Sequence, residues 1–172
     1  MKETIELREA IVSDAEAIAS IFHHTIRRVN ANDYTPAQID AWAGPAPEPE
    51  KWKLVLADPG DTKIFVAYCG SKVVGYAHFE PSGRIGSLYV HHEHQRRGVA
   101  SQLLSRIEQE AERQGSSRLF TEASITARPF FESNGFVVVQ EQEVEYRGAS
   151  FKNYKMEKRR HNTGAAPRDL NR

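Results

Sequence analysis

The sequence predicts one α/β domain in which an antiparallel meander leads into a parallel crossover. Three observations predict it. Residues 63–90 contain three apolar runs with short, turn-forming connections, which is the pattern of a meander. The last of these runs gives way, through Gln95-Arg96-Arg97-Gly98, to a segment where Val99, Ala100, Leu103, Leu104, Ile107 and Ala111 recur at helical spacing. A further run, 118–123, follows that helix and must return to the sheet by a crossover.

In chain order, residues 4–9 read as a first strand, and Ser13-Asp14-Ala15-Glu16 as a capping box opening a helix with Ile18, Ile21, Phe22 and Val29 on one face. That helix ends near Asn30. His23 and His24 point about a hundred degrees apart on it and cannot make a two-histidine metal face with each other. Thr35 caps a short helix that has Pro36 at its first position, Gln38 as capping-box partner and Trp42 near its end. Pro45, Pro47 and Pro49 interrupt the chain before another short helix, 50–57, with Trp52, Val55 and Leu56. Strands 63–69 and 73–80 form a hairpin around Gly70-Ser71-Lys72, and Pro81-Ser82-Gly83 turns into strand 84–91. Helix 98–114 is closed by Gly115. Thr126 caps a helix that tolerates Pro129 in its first turn and stops at Gly135. Residues 136–146 and 150–157 form a final hairpin around Gly148. The domain is expected to span 1–158 and a tail 159–172, with Lys158-Arg159-Arg160-His161 read as a solvated basic cluster rather than a nucleic-acid contact.

A chain of 172 residues suits a single domain with an adequate core. Its 23 basic and 23 acidic residues cancel, so no overall field draws it to nucleic acid or a membrane surface. No apolar run reaches the roughly eighteen residues needed to span a bilayer. The N-terminus lacks the apolar core of a signal peptide, so a cytoplasmic location is expected. The lone Cys69 excludes an intrachain disulfide and a cysteine-based zinc site, and beside Gly70 it reads as a small structural residue.

The most informative stretch is 84–101. A strand feeding a helix through a glycine-bearing turn leaves the first helical N–H groups unpartnered, and the helix dipole favours an anion there. Gly98 admits a phosphate to the backbone, Ala100 keeps the next turn low, and Arg96 or Arg97 adds charge from the side. Gln95-x-x-Gly98-x-Ala100 resembles the Q/R-x-x-G-x-G/A pyrophosphate loop of the GCN5-related N-acetyltransferases (GNAT). Ala127-Arg128-Pro129-Phe130-Phe131-Glu132-Ser133-Asn134-Gly135-Phe136 resembles that family's A-x-x-F-Y-E-x-x-G-F segment.

The resemblance implies a mixed, mostly antiparallel sheet with flanking helices, in which strands near 85–91 and 118–123 run parallel and splay to hold acyl-coenzyme A. It implies acetyl transfer from acetyl-CoA to a primary amine of a small molecule or an exposed amino group; a catalytically silent acyl-CoA sensor is the alternative. Leu88, Tyr89 and Val90 would form the cofactor-pairing strand, with one Val90 N–H polarising the thioester. Gln95, Arg96, Arg97, Gly98, Val99, Ala100 and Ser101 would form the pyrophosphate loop. Members are often dimeric, which leaves a homodimer open without deciding the oligomeric state; no metal, nucleic acid or membrane partner is expected.

Two positions depart from the family pattern. Ser124 stands where many members have a pantetheine-binding asparagine, and Phe131 where a tyrosine often protonates the leaving thiolate, although a phenyl ring has no proton to give. Glu122, at the end of the splaying strand and of the same parity as Ser124, is the candidate base or else an ion-pair partner of a helix arginine. His78 and Glu80 are further candidates. Tyr89 offers a hydroxyl near the reacting strand or simply packs in the core. Tyr34 and Trp42 fall where the family covers its acceptor, with His78 a third substrate contact.

Overall fold

Two antiparallel sheets share one core, and where they touch is the key to the molecule. The computed structural model describes residues 4–160. Strands β1 (Ile5–Glu9), β2 (Lys63–Cys69), β3 (Lys72–Phe79) and β4 (Ile85–Val90) pair in that order, and β5 (Arg118–Ser124), β7 (Ala149–Arg159) and β6 (Val137–Tyr146) form the second sheet in the order β5-β7-β6. A parallel bridge between Arg84 and Phe120 joins them, so β4 and β5 run the same way and part beyond it. The parallel crossover and its splay are both present.

Helices α1 (Ala15–Arg28), α2 (Pro36–Ala43) and α3 (Pro49–Ala57) precede the meander, α4 (Val99–Arg113) makes the crossover, and α5 (Arg128–Ser133) follows β5. The alternation of β2 shows why helices lie on both faces. Phe65 and Ala67 pack in the cluster that holds Leu103, Leu104 and Ile107 of α4, whereas Ile64 and Val66 pack in the one that holds Ile18 and Ile21 of α1. Each of these helix residues is at most 2% exposed, and burying such a side chain contributes roughly 1.5–3 kcal/mol.

Several ends differ from expectation. The entrance to α1 is organised by Asp14 rather than by a Ser13 capping box. The Asp14 carboxylate accepts from both Nη atoms of Arg8 (2.7 and 2.9 Å) and from Ile11 N–H (2.8 Å), which holds it below its usual pKa against the cost of burial. Thr126 does not cap α5; its hydroxyl donates to Asp33 (2.8 Å), while Ser124 Oγ accepts from Ala127 N–H (3.0 Å). The basic cluster begins inside the fold: β7 runs through Arg159, Lys158 pairs with Glu108 (2.7 Å), and Arg160 donates to the Glu108 carbonyl (2.8 Å). The domain therefore extends at least to Arg160, and the rest of the expected tail lies outside the described residues. The α2 cap is as expected, with Thr35 and Gln38 bonded reciprocally (2.8 and 3.2 Å).

Candidate active site

The V between β4 and β5 is closed at its base. Phe120 N–H donates to Gly83 C=O (3.0 Å), Thr121 Oγ1 donates to Ile85 C=O (2.9 Å), and Arg84 pairs with Glu122 (2.9 Å). Gly83 is required there, because a Cβ would stand 2.2 Å from the Arg118 carbonyl oxygen and its φ is +93°. Above these ties the strands separate around a cleft of about 800 Å³, bordered by β4, β5, the 94–101 loop and α5.

The free edge of β4 has its backbone groups ready for a ligand. His91 N–H donates to Val74 C=O (2.8 Å), and Val90 lies opposite Gly75, so Val90 and Leu88 sit at non-hydrogen-bonded positions toward β3. Their N–H and C=O groups therefore point off the edge into the V. One is already used: Val90 C=O accepts from Thr25 Oγ1 (3.0 Å) and from Gln95 Nε2 (2.6 Å). The Gln95 side chain thus clamps the strand end to the loop, and Val90 offers a ligand only its N–H.

The 95–101 loop turns through two residues with positive φ, Arg96 (62°) and Gly98 (80°). A non-glycine residue held there is a strained conformation of the kind found at ligand sites. The first helical bond of α4 runs from Gln102 N–H to Gly98 C=O (3.1 Å), leaving the N–H groups of Val99, Ala100 and Ser101 without intrahelical partners. A Cβ on Gly98 would meet nothing within 4 Å, so the space above it is open cleft. Val99 turns its side chain into the core (1% exposed) and can serve a ligand only through its backbone.

A second cavity of about 460 Å³ adjoins the first, with Phe22, Tyr34, Trp42, Tyr146 and Phe151 among its walls and the carboxylates of Glu122 and Glu145. Trp42 stands edge-on to Tyr34 (5.3 Å) and to Phe151 (5.9 Å). Tyr34 is a buried cross-tie: its hydroxyl accepts from Ile125 N–H (2.9 Å) and donates to Lys152 C=O (3.0 Å), and burial raises its pKa. Trp42, Glu122 and Ser124 line both cavities. Arg84 Nε and Nη2 both bond Glu122 Oε2 (3.0 and 2.9 Å), while Arg84 Nη1 bonds Glu80 (2.8 Å). Glu122 Oε1 makes no hydrogen bond with a described residue.

Residues 30–158 match the acetyltransferase (GNAT) domain family. The chain is 36% identical over 156 residues to the uncharacterized N-acetyltransferase YafP of Escherichia coli (strain K12), covering 88% of this chain and 94% of that protein. The chain belongs to the GNAT acetyltransferase family. A solved GCN5-related N-acetyltransferase from Rhodopseudomonas palustris superimposes with a TM-score of 0.84 at 30% identity, covering 92% and 98% of the two chains. YncA of Salmonella typhimurium, solved with its cofactor acetyl-CoA, shares the fold at a TM-score of 0.71 and 22% identity, with 94% and 96% covered.

In this GNAT chain the cleft brings together Leu88, Tyr89, Val90, Gln95, Arg96, Gly98, Val99, Ala100, Ser101, Glu122, Ser124 and Phe131. Arg97 is exposed and off the cleft wall. His78 is not brought to either cavity; its ring lies against Gly86, where a Cβ would stand 2.7 Å from Nδ1, and burial lowers its pKa. The Tyr89 ring stacks on Tyr76 (5.7 Å) and meets Phe22 edge-on (5.3 Å); burial raises its pKa, opposed by a hydrogen bond with Trp42. Its phenol is therefore held as a neutral packing group. Glu122 does form an ion pair, but with the turn residue Arg84 instead of a helix arginine. Sequence reasoning missed Thr25 and Asn30, which reach the cleft from α1 and the turn after it. The available signal was a polar residue on the apolar face of α1, four residues after Ile21.

Proposed function

We propose that this GNAT enzyme moves the acetyl group of acetyl-CoA to a cationic primary amine on a small molecule or peptide, with the two substrates meeting at Trp42, Glu122 and Ser124. The observation that carries this reading is the junction itself: the same three residues wall the cofactor cleft and the aromatic cavity. The aromatic walls suit an organic cation, and the cavity's basic residues Arg84 and Lys152 are already paired, with Glu80 and Glu122 and with Glu141 (2.9 Å). Glu145 makes no ion pair with a described residue, leaving the cavity with acidic character.

The roles follow from position. Val90 N–H, free on the strand edge, bonds the thioester carbonyl oxygen and stabilises its negative charge as the amine nitrogen adds to the carbonyl carbon. An amine with a pKa near 10.4 arrives protonated, and Glu122, through Oε1 or a bridging water, takes the proton that frees its lone pair. The carbon–sulfur bond then breaks. Ser124 Oγ accepts from Ala127 N–H, so its own proton remains available to the departing thiolate in a site where Phe131 has none to give. As Ser124 gives its proton to the sulfur it takes up the second amine proton, directly or through a water, which leaves neutral coenzyme A thiol, the acetamide and an unchanged serine.

A cytoplasmic site of action suits a protein with one free cysteine. A homodimer is supported by the edge strand β6, where Val137 and Val139 are 61% and 58% exposed. The test is release of coenzyme A thiol across polyamines, aminoglycosides, amino acids and peptides. Turnover with a cationic amine supports the proposal; tight acetyl-CoA binding with no turnover on the whole panel supports the silent sensor, the reading that Phe131 favours.

A further inference from the structure

Six polar or charged side chains are buried among the described residues, and five of them have a partner within the protein. Asp14 bonds Arg8, His23 bonds the Ala43 carbonyl (3.1 Å), Thr25 bonds the Val90 carbonyl, Glu110 bonds Arg113, and Thr121 bonds the Ile85 carbonyl. The sixth is Asn30. Its backbone C=O accepts from Asp33 N–H (2.9 Å), but its carboxamide makes no hydrogen bond with a described residue. It is only 5% exposed, and it lines the cofactor cleft. Neither polar atom of the amide is sealed inside the protein, so what it faces is the cleft, and no partner within the fold accounts for an asparagine at this position.

We propose that Asn30 binds the acyl–pantetheine end of acetyl-CoA, donating an amide N–H to one of its carbonyl oxygens. The inference rests on the acetyltransferase reading of the cleft. Three observations select this end of the ligand. Asn30 borders the cofactor cleft and not the aromatic cavity, which assigns it to the cofactor rather than the amine. It follows α1 by little more than a turn from Thr25, whose hydroxyl ties that helix to Val90 C=O, so it belongs to the wall that faces the end of β4. The phosphate-binding N–H groups lie elsewhere, on the first turn of α4. The pantetheine arm is uncharged and carries amide and thioester carbonyls that need donors. On the β5 wall the position facing the ligand is Ser124, whose hydroxyl is short and whose proton is assigned to the departing sulfur, so an amide from the α1 wall supplies a separate donor for a carbonyl oxygen.

The experiment needs no knowledge of the amine. Calorimetry on the full chain compares acetyl-CoA with adenosine 3′,5′-bisphosphate, which keeps the phosphates near the nucleotide but has no pantetheine. Asn30→Ala is expected to weaken acetyl-CoA about tenfold and leave the bisphosphate within about twofold, the loss expected for one hydrogen bond of about 1.4 kcal/mol. Asn30→Asp keeps the shape and an acceptor oxygen but loses the donor, and is expected to weaken acetyl-CoA at least as much. The melting temperature of unliganded Asn30→Ala should equal or exceed that of the wild type, because no bond within the protein is lost. Unchanged acetyl-CoA affinity in Asn30→Ala, equal loss of both ligands, or retention in Asn30→Asp overturns the proposal. Failure of the wild-type protein to bind either ligand overturns instead the reading of the cleft on which it rests.

Discussion

The two cavities of this GNAT fold are made of different material. The cofactor cleft is largely a backbone site: the free edge of β4, two positive-φ residues and the first N–H groups of α4, all within 88–101. The aromatic cavity is a side-chain site, assembled from Phe22 on α1, Trp42 on α2, Glu122 on β5 and Phe151 on β7. Backbone recognition depends on the path of one short segment, whereas side-chain recognition depends on the whole chain having folded. The first can stay fixed while the second changes, which lets one cofactor serve many acceptors.

The sharpest way to break this comparison is at Gly98. Gly98→Val is expected to weaken acetyl-CoA binding a hundredfold or more by calorimetry, because the side chain would fill the phosphate's approach. A Cβ there meets no protein atom within 4 Å, so the loss cannot be blamed on a clash inside the fold. Valine at φ +80° also carries about 1–2 kcal/mol of backbone strain. Gly98→Asn separates the two effects, since asparagine tolerates the left-handed region. A Gly98→Asn protein that binds as tightly as wild type would remove the open backbone from the account of the cleft.

Glu122 tests the other half. Glu122→Gln keeps the side chain's size, and Arg84 retains its bond to Glu80, so the fold should survive. Turnover is expected to fall about a hundredfold, the scale of a lost general base, while acetyl-CoA affinity changes little. The rising acid limb of the rate–pH curve should weaken or move. Wild-type turnover with an unaltered profile would leave Glu122 as the ion-pair partner of Arg84 and nothing more.

A smaller, opposite effect is expected at Phe131. The ring is 3% exposed and packs edge-on against Phe136 (5.1 Å) and Phe130 (5.3 Å) at the cleft wall. Phe131→Tyr adds a donor where the family often has one. Steady-state assay should show turnover rising about tenfold, or about 1.4 kcal/mol off the barrier, if proton delivery limits the rate. An unchanged rate would mean that Ser124 or solvent already delivers the proton fast enough.

The same division decides what could be read from the sequence. The strand, turn and helix of 85–113 were legible because apolar period, Gly98 and the order of elements are all local signals. So was the parallel crossover, which follows from the helix between two strands. The role of Gln95 was not: its side chain reaches back to Val90 C=O, a bond that depends on how the turn folds. His78 has the right parity on its strand, yet its ring is taken up by Gly86 of the neighbouring strand. Thr25 was announced only by its polarity on the apolar face of α1, because its bond to Val90 C=O spans 65 residues, and Asn30 had no local pattern at all. Where a polar group's partner is distant in sequence, composition and spacing carry no trace of it.

Tyr34 gives the smallest and most discriminating test, because it belongs to the aromatic cavity by position and to the fold by its bonds. Its hydroxyl joins Ile125 to Lys152, and the latter bond spans 118 residues. Tyr34→Phe would leave the Ile125 N–H and the Lys152 C=O unpaired in a part-buried setting, at a cost of about 1–3 kcal/mol in chemical denaturation. The ring itself stays, so Trp42 keeps its edge-on neighbour and the cavity keeps its shape. The acceptor's KM is therefore expected to remain within about twofold of wild type while stability falls. Burial raises the phenol's pKa, so it stays protonated through the neutral range and adds no slope to stability with pH there. A mutant with wild-type stability and a tenfold higher KM for the acceptor would reverse the assignment, making Tyr34 a direct reader of the amine and placing at least one acceptor contact on a hydroxyl that the fold also uses.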